Sequence, residues 1–365
     1  MDFTLTAEQL LLKDSVARFA SAPASARGDL WRSFTELGWL AVGAPEEAGG
    51  FGGPVETLLL MEQLGRGRVV SPYASQVVFA GAILRGAELS DLHEALAEGR
   101  RRFAVAYEEP HARYDPSRVE TRARRDGDGW LIDGEKVRVL DATSADTLIV
   151  SARTDRGVTL FAVAADAPGL EREPYPAEDG YDVADLYLRG VRAGAGATIG
   201  EEGDGLELLE RGIDHATAAL CAEALGLCQV MLEATVSYTK QRQQFGVPLS
   251  SFQALSHRMA EMYVELELLR SMAYYAAMTL EEEADAFERK RGISAAKAQM
   301  AKSGRFIGQQ AIQLHGGIGM SEEYDVGHYF KRMTLLERLL GDRDYHVRRY
   351  ADLRQVAVSA EPLSV

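Results

Sequence analysis

Residues 119–140 read VETRARRDGDGWLIDGEKVRVL, and the folding of this stretch decides how the chain divides. Asp126-Gly127-Asp128-Gly129 is a tight-turn sequence between two runs with a period of two, the signature of a β-hairpin. Similar short runs follow at 146–153 (DTLIVSAR), 158–165 (VTLFAVAA) and 183–193 (VADLYLRGVRA). Turn signals separate them at strand-length intervals, which predicts a small all-β barrel or sandwich over residues 102–203.

On either side the period becomes helical. In residues 1–101, Thr6 with Glu8 and Gln9 behind it is placed to cap a helix through Leu10, Leu11 and Phe19. A glycine-rich loop at 38–53 (GWLAVGAPEEAGGFGG) interrupts, and Leu58, Leu59, Met61 and Leu64 resume the helix. In residues 204–365 three long seams recur at spacings of three and four. The first runs through Leu209, Ile213, Ala216 and Leu220. The second runs from Phe252, Leu255, Met259 and Met262 to Ala276, and the third from Ile293 through Met300 and Ile307 to Leu314. Such seams pack as an antiparallel bundle, their methionines filling core, and Glu281–Glu283 marks a solvated turn between two of the helices. The fold class expected is α+β, mainly α. It comprises an N-terminal helical domain (1–101), a middle β-barrel (102–203) and a C-terminal four-helix bundle (204–365).

Composition narrows the partners. The chain has 365 residues, 46% of them hydrophobic, and a formal charge of −15. That balance opposes nucleic-acid binding, which needs a basic face. An anionic ligand would instead depend on a few local arginines or backbone N–H groups. Cys221 and Cys228 lie two helical turns apart, too far to bridge, and read as buried small hydrophobes of a reducing compartment. The segment Met1–Leu12 lacks the charge and apolar pattern of a signal peptide, and no apolar run suggests a membrane span, so a cytoplasmic protein is expected. No metal site is expected.

The chemistry-bearing motifs fall in the last third. Arg242-Gln243-Gln244-Phe245-Gly246 ends the first long helix, Phe252-Gln253 opens the next, and Gln313-Leu314-His315-Gly316-Gly317-Ile318-Gly319 follows the third. An arginine fork reaches a pyrophosphate, phenylalanine packs on an aromatic ring, and glycines admit backbone N–H groups to phosphate oxygens. Together with the 38–53 loop and the DGDGWLIDGEK hairpin, these motifs resemble the acyl-CoA dehydrogenase family over nearly the whole chain. The resemblance implies FAD as cofactor, an acyl-CoA substrate and α,β-dehydrogenation. It also implies a dimer or tetramer, made with itself or with a homologous acyl-CoA dehydrogenase subunit, and an electron-transferring flavoprotein as acceptor. Arg242, Phe245, Gln313, Gly316 and Gly317 are the implied cofactor-binding residues.

The sequence departs from the family where the reaction is carried out. A carboxylate must take the α-proton as the β-hydrogen leaves as hydride to the flavin. The family's two base positions fall here on Leu340 and Ala216, neither of which accepts a proton. Asp214 is the nearest replacement, with Glu210 and Glu337 behind it as solvated or ion-paired residues. On the flavin side, Glu108-Glu109-Pro110 stands in place of a Thr-Glu-Pro run. Val137-Arg138-Val139-Leu140 replaces an aromatic and a hydroxyl residue, and Asp342 replaces a threonine near the pyrophosphate. What a subunit lends its neighbour is kept, and what it uses on its own FAD is largely lost. That pattern resembles the non-catalytic chain of heteromeric members. The alternatives are a self-sufficient dehydrogenase with a relocated base and a non-redox CoA-ester protein. The last would turn on His111, Arg138 and His215, residues otherwise expected on surfaces or in loops.

Overall fold

Thr6 opens the first helix with a full capping box: its side chain accepts from the Gln9 amide while the Gln9 side chain accepts from the Thr6 amide. The computed structural model describes residues 4–282 and 285–360, so Met1 and Glu283 lie outside the described residues. The helices are α1 (Ala7–Ser21), α2 (Leu30–Glu36), α3 (Pro54–Arg66), α4 (Ala80–Gly86), α5 (Ser90–Ala97), α6 (Gly205–Gln241), α7 (Gln253–Glu281), α8 (Ala286–His315), α9 (Asp325–Arg338) and α10 (Arg343–Ala360). The sheet between α5 and α6 is built from β1 (Phe103–Ala106), β2 (Arg122–Asp126), β3 (Gly129–Leu140), β4 (Thr147–Thr154), β5 (Gly157–Ala164), β6 (Leu170–Pro176), β7 (Asp182–Ala193) and β8 (Thr198–Ile199). The architecture is therefore α+β and mainly α, with helices, a β domain and a C-terminal helical bundle in that order.

Contacts divide the chain into two compact units. One comprises Met1–Ala22, Pro54–Val69 and Thr217–Val365 and is helical. In it α3 crosses α6 at two glycines, where a Cβ on Gly65 would lie 2.2 Å from the Glu223 carbonyl oxygen and one on Gly226 2.0 Å from that of Glu62. The two backbones touch, and no larger residue fits. A buried ion pair ties α9 to α6: Arg332 donates from Nε and Nη2 to the two Glu223 carboxylate oxygens at 2.6 and 3.0 Å. Cys221 and Cys228 are buried free thiols, as their spacing implied. Among the described residues α6 alone has the length and composition to cross a membrane, yet 72% of its most apolar window is buried in the protein. Its apolarity is that of a core helix.

The other unit comprises Pro23–Gly53 and Val70–Ala216. Its barrel is one eight-stranded mixed sheet, ordered β6-β7-β3-β2-β4-β5-β8 with β1 added to β4. β1 touches β3, and β5 touches β7, although neither pair is hydrogen-bonded; the sheet folds over itself around a core including Trp130, Ile132, Leu148, Phe161 and Leu186. The predicted hairpin forms with Asp126 paired to Gly129 and Gly127 at φ +64°, the left-handed value its first central position needs. The pairing of β3 with β7 is not continuous. It slips between Lys136 and Val139, leaving Val137 and Arg138 in a bulge.

The second apolar seam is only partly used for folding. Met262, Leu266, Leu269, Ala273 and Ala276 are buried, but Phe252, Leu255 and Met259 are half-exposed. The first turns of α7 carry apolar residues that the rest of the chain leaves open.

Candidate functional site

The family resemblance assigns two sets of residues to a flavin nucleotide, one in each unit. In the helical unit, α6 ends at Gln241 and the chain turns through a two-stranded hairpin, Gln243–Gln244 against Val247–Pro248. Arg242 and Phe245 ride on this hairpin fully in solvent. Phe245 is 92% exposed and sits at φ +54°, touching Phe252 edge-on at 6.1 Å. The second motif caps α8, where Gly316 takes φ +66° and residues 316–320 form a 3₁₀ turn. Gln313, Gly316 and Gly317 are exposed, and a Cβ built on either glycine would meet nothing within 4 Å. Among the described residues the side chains of Arg242 and Gln313 have no hydrogen-bond or ion-pair partner. A guanidinium, an aromatic ring and a glycine turn that fronts open space all face outward, which suits a phosphate-bearing ligand held by another body, although the Gly316 amide itself is spent on the Gln313 and Ile312 carbonyls of the helix cap.

The two motifs are joined beneath this surface. Tyr238, one turn before Arg242, stacks on His315 with ring centroids 4.6 Å apart and planes 28° apart. His315 Nδ1 donates to the Ala311 carbonyl at 2.7 Å, leaving Nε2 to accept from the Tyr324 hydroxyl at 3.2 Å. Burial lowers the His315 pKa, keeping the ring in this neutral form. The sequence does not single out Tyr238 or Tyr324, and it shows His315 only as a spacer within its motif, because a ring stack between separate helices leaves no spacing signal.

In the β unit, the two adjacent glutamates after β1 have opposite situations. Glu109 is buried and salt-bridged to buried Lys136, whose Nζ also donates to Ser151 at 2.9 Å. It accepts the Glu120 and Thr121 amides too, at 2.6 and 3.1 Å. Burial would raise its carboxyl pKa, but Lys136 and these donors hold it below the ordinary value. Glu108 instead faces the bulge. Arg138, at φ +54°, donates from Nε to Glu108 at 3.0 Å and from Nη2 to the same oxygen, while Tyr107 donates to the other oxygen at 3.1 Å. Two departures that stand thirty residues apart in sequence thus form one ion pair.

Neither base position holds a proton acceptor. Ala216 is buried in α6. Leu340 is 7% exposed in a left-handed conformation (φ +57°), its carbonyl accepting from His346 Nε2 at 3.0 Å, while buried Lys297 donates to the Leu336 carbonyl. The turn stays tightly fixed although its side chain is hydrocarbon. Asp342 is used locally, accepting the Tyr345 amide at 2.9 Å to cap α10. Of the carboxylates that could replace the base, Glu337 is ion-paired to Arg305, Glu210 is half-buried, and Asp214 is fully buried on α6. His111 and Arg138 are exposed, whereas His215 is not the surface or loop residue expected. It is buried in α6 with Arg85 Nη2 at 3.3 Å.

FAD fits one of the two sets. The hairpin presents the unpaired Arg242 guanidinium and the glycine turn presents open space, while the β-domain edge presents a carboxylate committed to Arg138 at the position where the family resemblance implies a neutral hydroxyl. Helices, a folded β sheet and a bundle whose end suits a flavin nucleotide define a flavoprotein of the acyl-CoA-oxidising kind. Family models agree in chain order: acyl-CoA dehydrogenase N-terminal domain over residues 6–88, middle domain over 104–191 and C-terminal domain over 203–352. The probable acyl-CoA dehydrogenase YngJ of Bacillus subtilis (strain 168) is 30% identical, covering 98% of this chain and 100% of that protein. The chain belongs to the acyl-CoA dehydrogenase family. Its members are flavoprotein oxidoreductases acting on CH–CH bonds, with FAD as cofactor. Two similar structures carry paired names. A Tcur3481-Tcur3483 steroid ACAD variant has TM-score 0.85 and 32% identity over 97% of this chain and 99% of that one. The ChsE4-ChsE5 complex from Mycobacterium tuberculosis has TM-score 0.86 and 27% identity over 99% and 100%.

Proposed function

We propose that this chain is the supporting subunit of a heteromeric acyl-CoA dehydrogenase. It lends Arg242, Phe245, Gln313, Gly316 and Gly317 to FAD held by a homologous, base-bearing subunit that oxidises an acyl-CoA thioester. The observation that carries the reading is the Glu108–Arg138 ion pair, which fills the flavin-facing edge of this chain's own β domain. The paired naming of two similar structures supports it.

The division of labour follows from the side chains. FAD, when bound, supplies the hydride acceptor, and electrons then pass to an electron-transferring flavoprotein. The α-proton goes to the partner's carboxylate, since positions 340 and 216 of this chain offer only hydrocarbon. This chain's part is to neutralise pyrophosphate charge with Arg242, admit the phosphates closely at the side-chain-free glycine turn and cover an aromatic face with Phe245.

The test is flavin content and native mass of the chain expressed alone and with a homologous chain carrying glutamate at a base position. A colourless protein alone and a yellow hetero-oligomer together are expected. One FAD per chain in a homo-oligomer that oxidises an acyl-CoA by itself overturns the reading. That outcome favours a relocated base instead, for which fully buried Asp214, two residues before Ala216, is the candidate.

A further inference from the structure

We infer that Tyr238 and His315 are positioning residues that lock the arginine hairpin and the glycine turn into one rigid donor surface. The inference rests on the lending role proposed for this chain. Residues 241–247 are all exposed, so Arg242 and Phe245 are placed by the short hairpin, by the Leu249 amide on the Arg242 carbonyl and by the helix end they follow, with no core packing of their own. Tyr238 belongs to that end, and its carbonyl accepts the Arg242 amide at 2.8 Å. His315 belongs to the other motif, between Gln313 and Gly316, and is only 3% exposed. Their stack joins the last turn of α6 to the last turn of α8, which sets the spacing between the guanidinium and the glycine turn.

The imidazole is itself held on every side. The Ala311 carbonyl and the Tyr324 hydroxyl take its two nitrogens, and the Tyr324 ring lies 5.0 Å from it and 6.3 Å from Tyr238. Above it the turn closes tightly, since a Cβ on Gly319 would lie 3.0 Å from the His315 Cβ and 3.1 Å from the Ile312 carbonyl oxygen. A ring so fixed, with one flat face on the helix that leads into the arginine motif, transmits position from one half-site to the other. A histidine serving only to fill core would not need to bridge the two motifs that the same ligand requires. The Tyr238 hydroxyl has no hydrogen-bond partner among the described residues, so it is the ring face that matters.

The experiment uses the co-expressed hetero-oligomer, stripped of flavin and titrated with FAD. Tyr238→Leu and His315→Ala are expected to weaken FAD binding by about tenfold to a hundredfold, the scale of a small misplacement of binding groups. Native mass and melting temperature of the apo-complex stay near wild type in Tyr238→Leu. Tyr238→Phe keeps the stack and binds within about twofold of wild type, a difference too small to reflect lost positioning. The inference is overturned if Tyr238→Leu leaves FAD affinity unchanged, or if Tyr238→Phe is as damaging as Tyr238→Leu. It also fails if flavin is lost only together with assembly, which marks a purely structural role. Should the chain bind FAD alone as a homo-oligomer, the supporting-subunit reading fails, while the same titration on the homo-oligomer still decides these two positions.

Discussion

The end of the helical bundle and the bulged edge of the β domain are the two regions to which the family resemblance assigns a flavin nucleotide, and they are finished in opposite ways. At the bundle end the polar groups are left over: the side chains of Arg242 and Gln313 are exposed without partners among the described residues, and two glycines front open space. At the β edge the polar groups are used up, with Glu108 taking Arg138 on one oxygen and Tyr107 on the other. Unsatisfied donors on an exposed surface cost little in water and become useful only when a ligand arrives. An ion pair already formed must be broken before a ligand can replace it. The difference teaches that, on the proposed reading, ordinary side-chain chemistry is enough to close one half of a site while the other half stays open.

The largest effect should come from the pair next to the closed edge. Lys136→Met leaves the Glu109 carboxylate buried without its cation, which costs about 3–5 kcal/mol, whereas replacing both residues by apolar ones of similar volume removes the buried charge and costs less, its remaining loss being the Glu120 and Thr121 amides left without their acceptor. Chemical denaturation of the wild type and the two variants measures this. The same pair has a pH signature. Because the folded Glu109 pKa lies below its ordinary 4.5, its stabilisation is fully present above about pH 4.5 and is lost as pH falls further through the folded value. The wild type should weaken in acid more steeply than the doubly apolar variant. Equal acid profiles would mean that Glu109 is not held ionised by Lys136. The comparison between Glu108 and Glu109 would then lose its sharpest contrast.

At the open end, Arg242→Ala removes a charge-assisted donor to pyrophosphate and should cost about 1.5–3 kcal/mol of FAD binding in the hetero-oligomer. The stability of the apo-protein should not change, because the guanidinium is solvated and unpaired among the described residues. Isothermal titration with FAD and a melting curve separate the two quantities. A loss of stability without a loss of affinity would show that the exposed arginine serves assembly rather than the ligand.

Much of this contrast was visible in the sequence, and the missing parts have physical reasons. The hairpin at 126–129, the Thr6 cap and the seams of α6 and α8 follow local rules that each residue obeys by itself. Strand β1 escaped because FAVA is buried on both faces and shows no alternation. Strand β6 escaped because LEREPYP carries two prolines and is largely exposed, which only the edge position it occupies permits. The seam at Phe252, Leu255 and Met259 was legible as helix but not as exposed helix, since periodicity records an apolar face without saying what covers it. The residues proposed as donated stand in motifs, so their candidacy could be read from the sequence. The closure at Glu108 could not, because pairing with Arg138 depends on a bulge that brings residue 138 round to face residue 108.

The smallest energetic effect carries the most information about that closure. Glu108 and Arg138 form a partly exposed pair, and such pairs contribute only about 0–1 kcal/mol to stability. Replacing them by Thr and Phe should therefore leave the melting temperature nearly unchanged. The same change removes a charge from the flavin-facing edge and restores the neutral hydroxyl and aromatic character that the family resemblance implies there. The doubly substituted chain, expressed alone, should retain a measurable, substoichiometric amount of FAD where the wild type is expected to retain none, read from the visible spectrum after gel filtration. It should still fail to oxidise an acyl-CoA, because Leu340 and Ala216 remain without a proton acceptor. If flavin retention stays at zero while the fold is intact, the ion pair is not what closes this edge. Asp342, which is committed to capping α10, would then be the next residue to change.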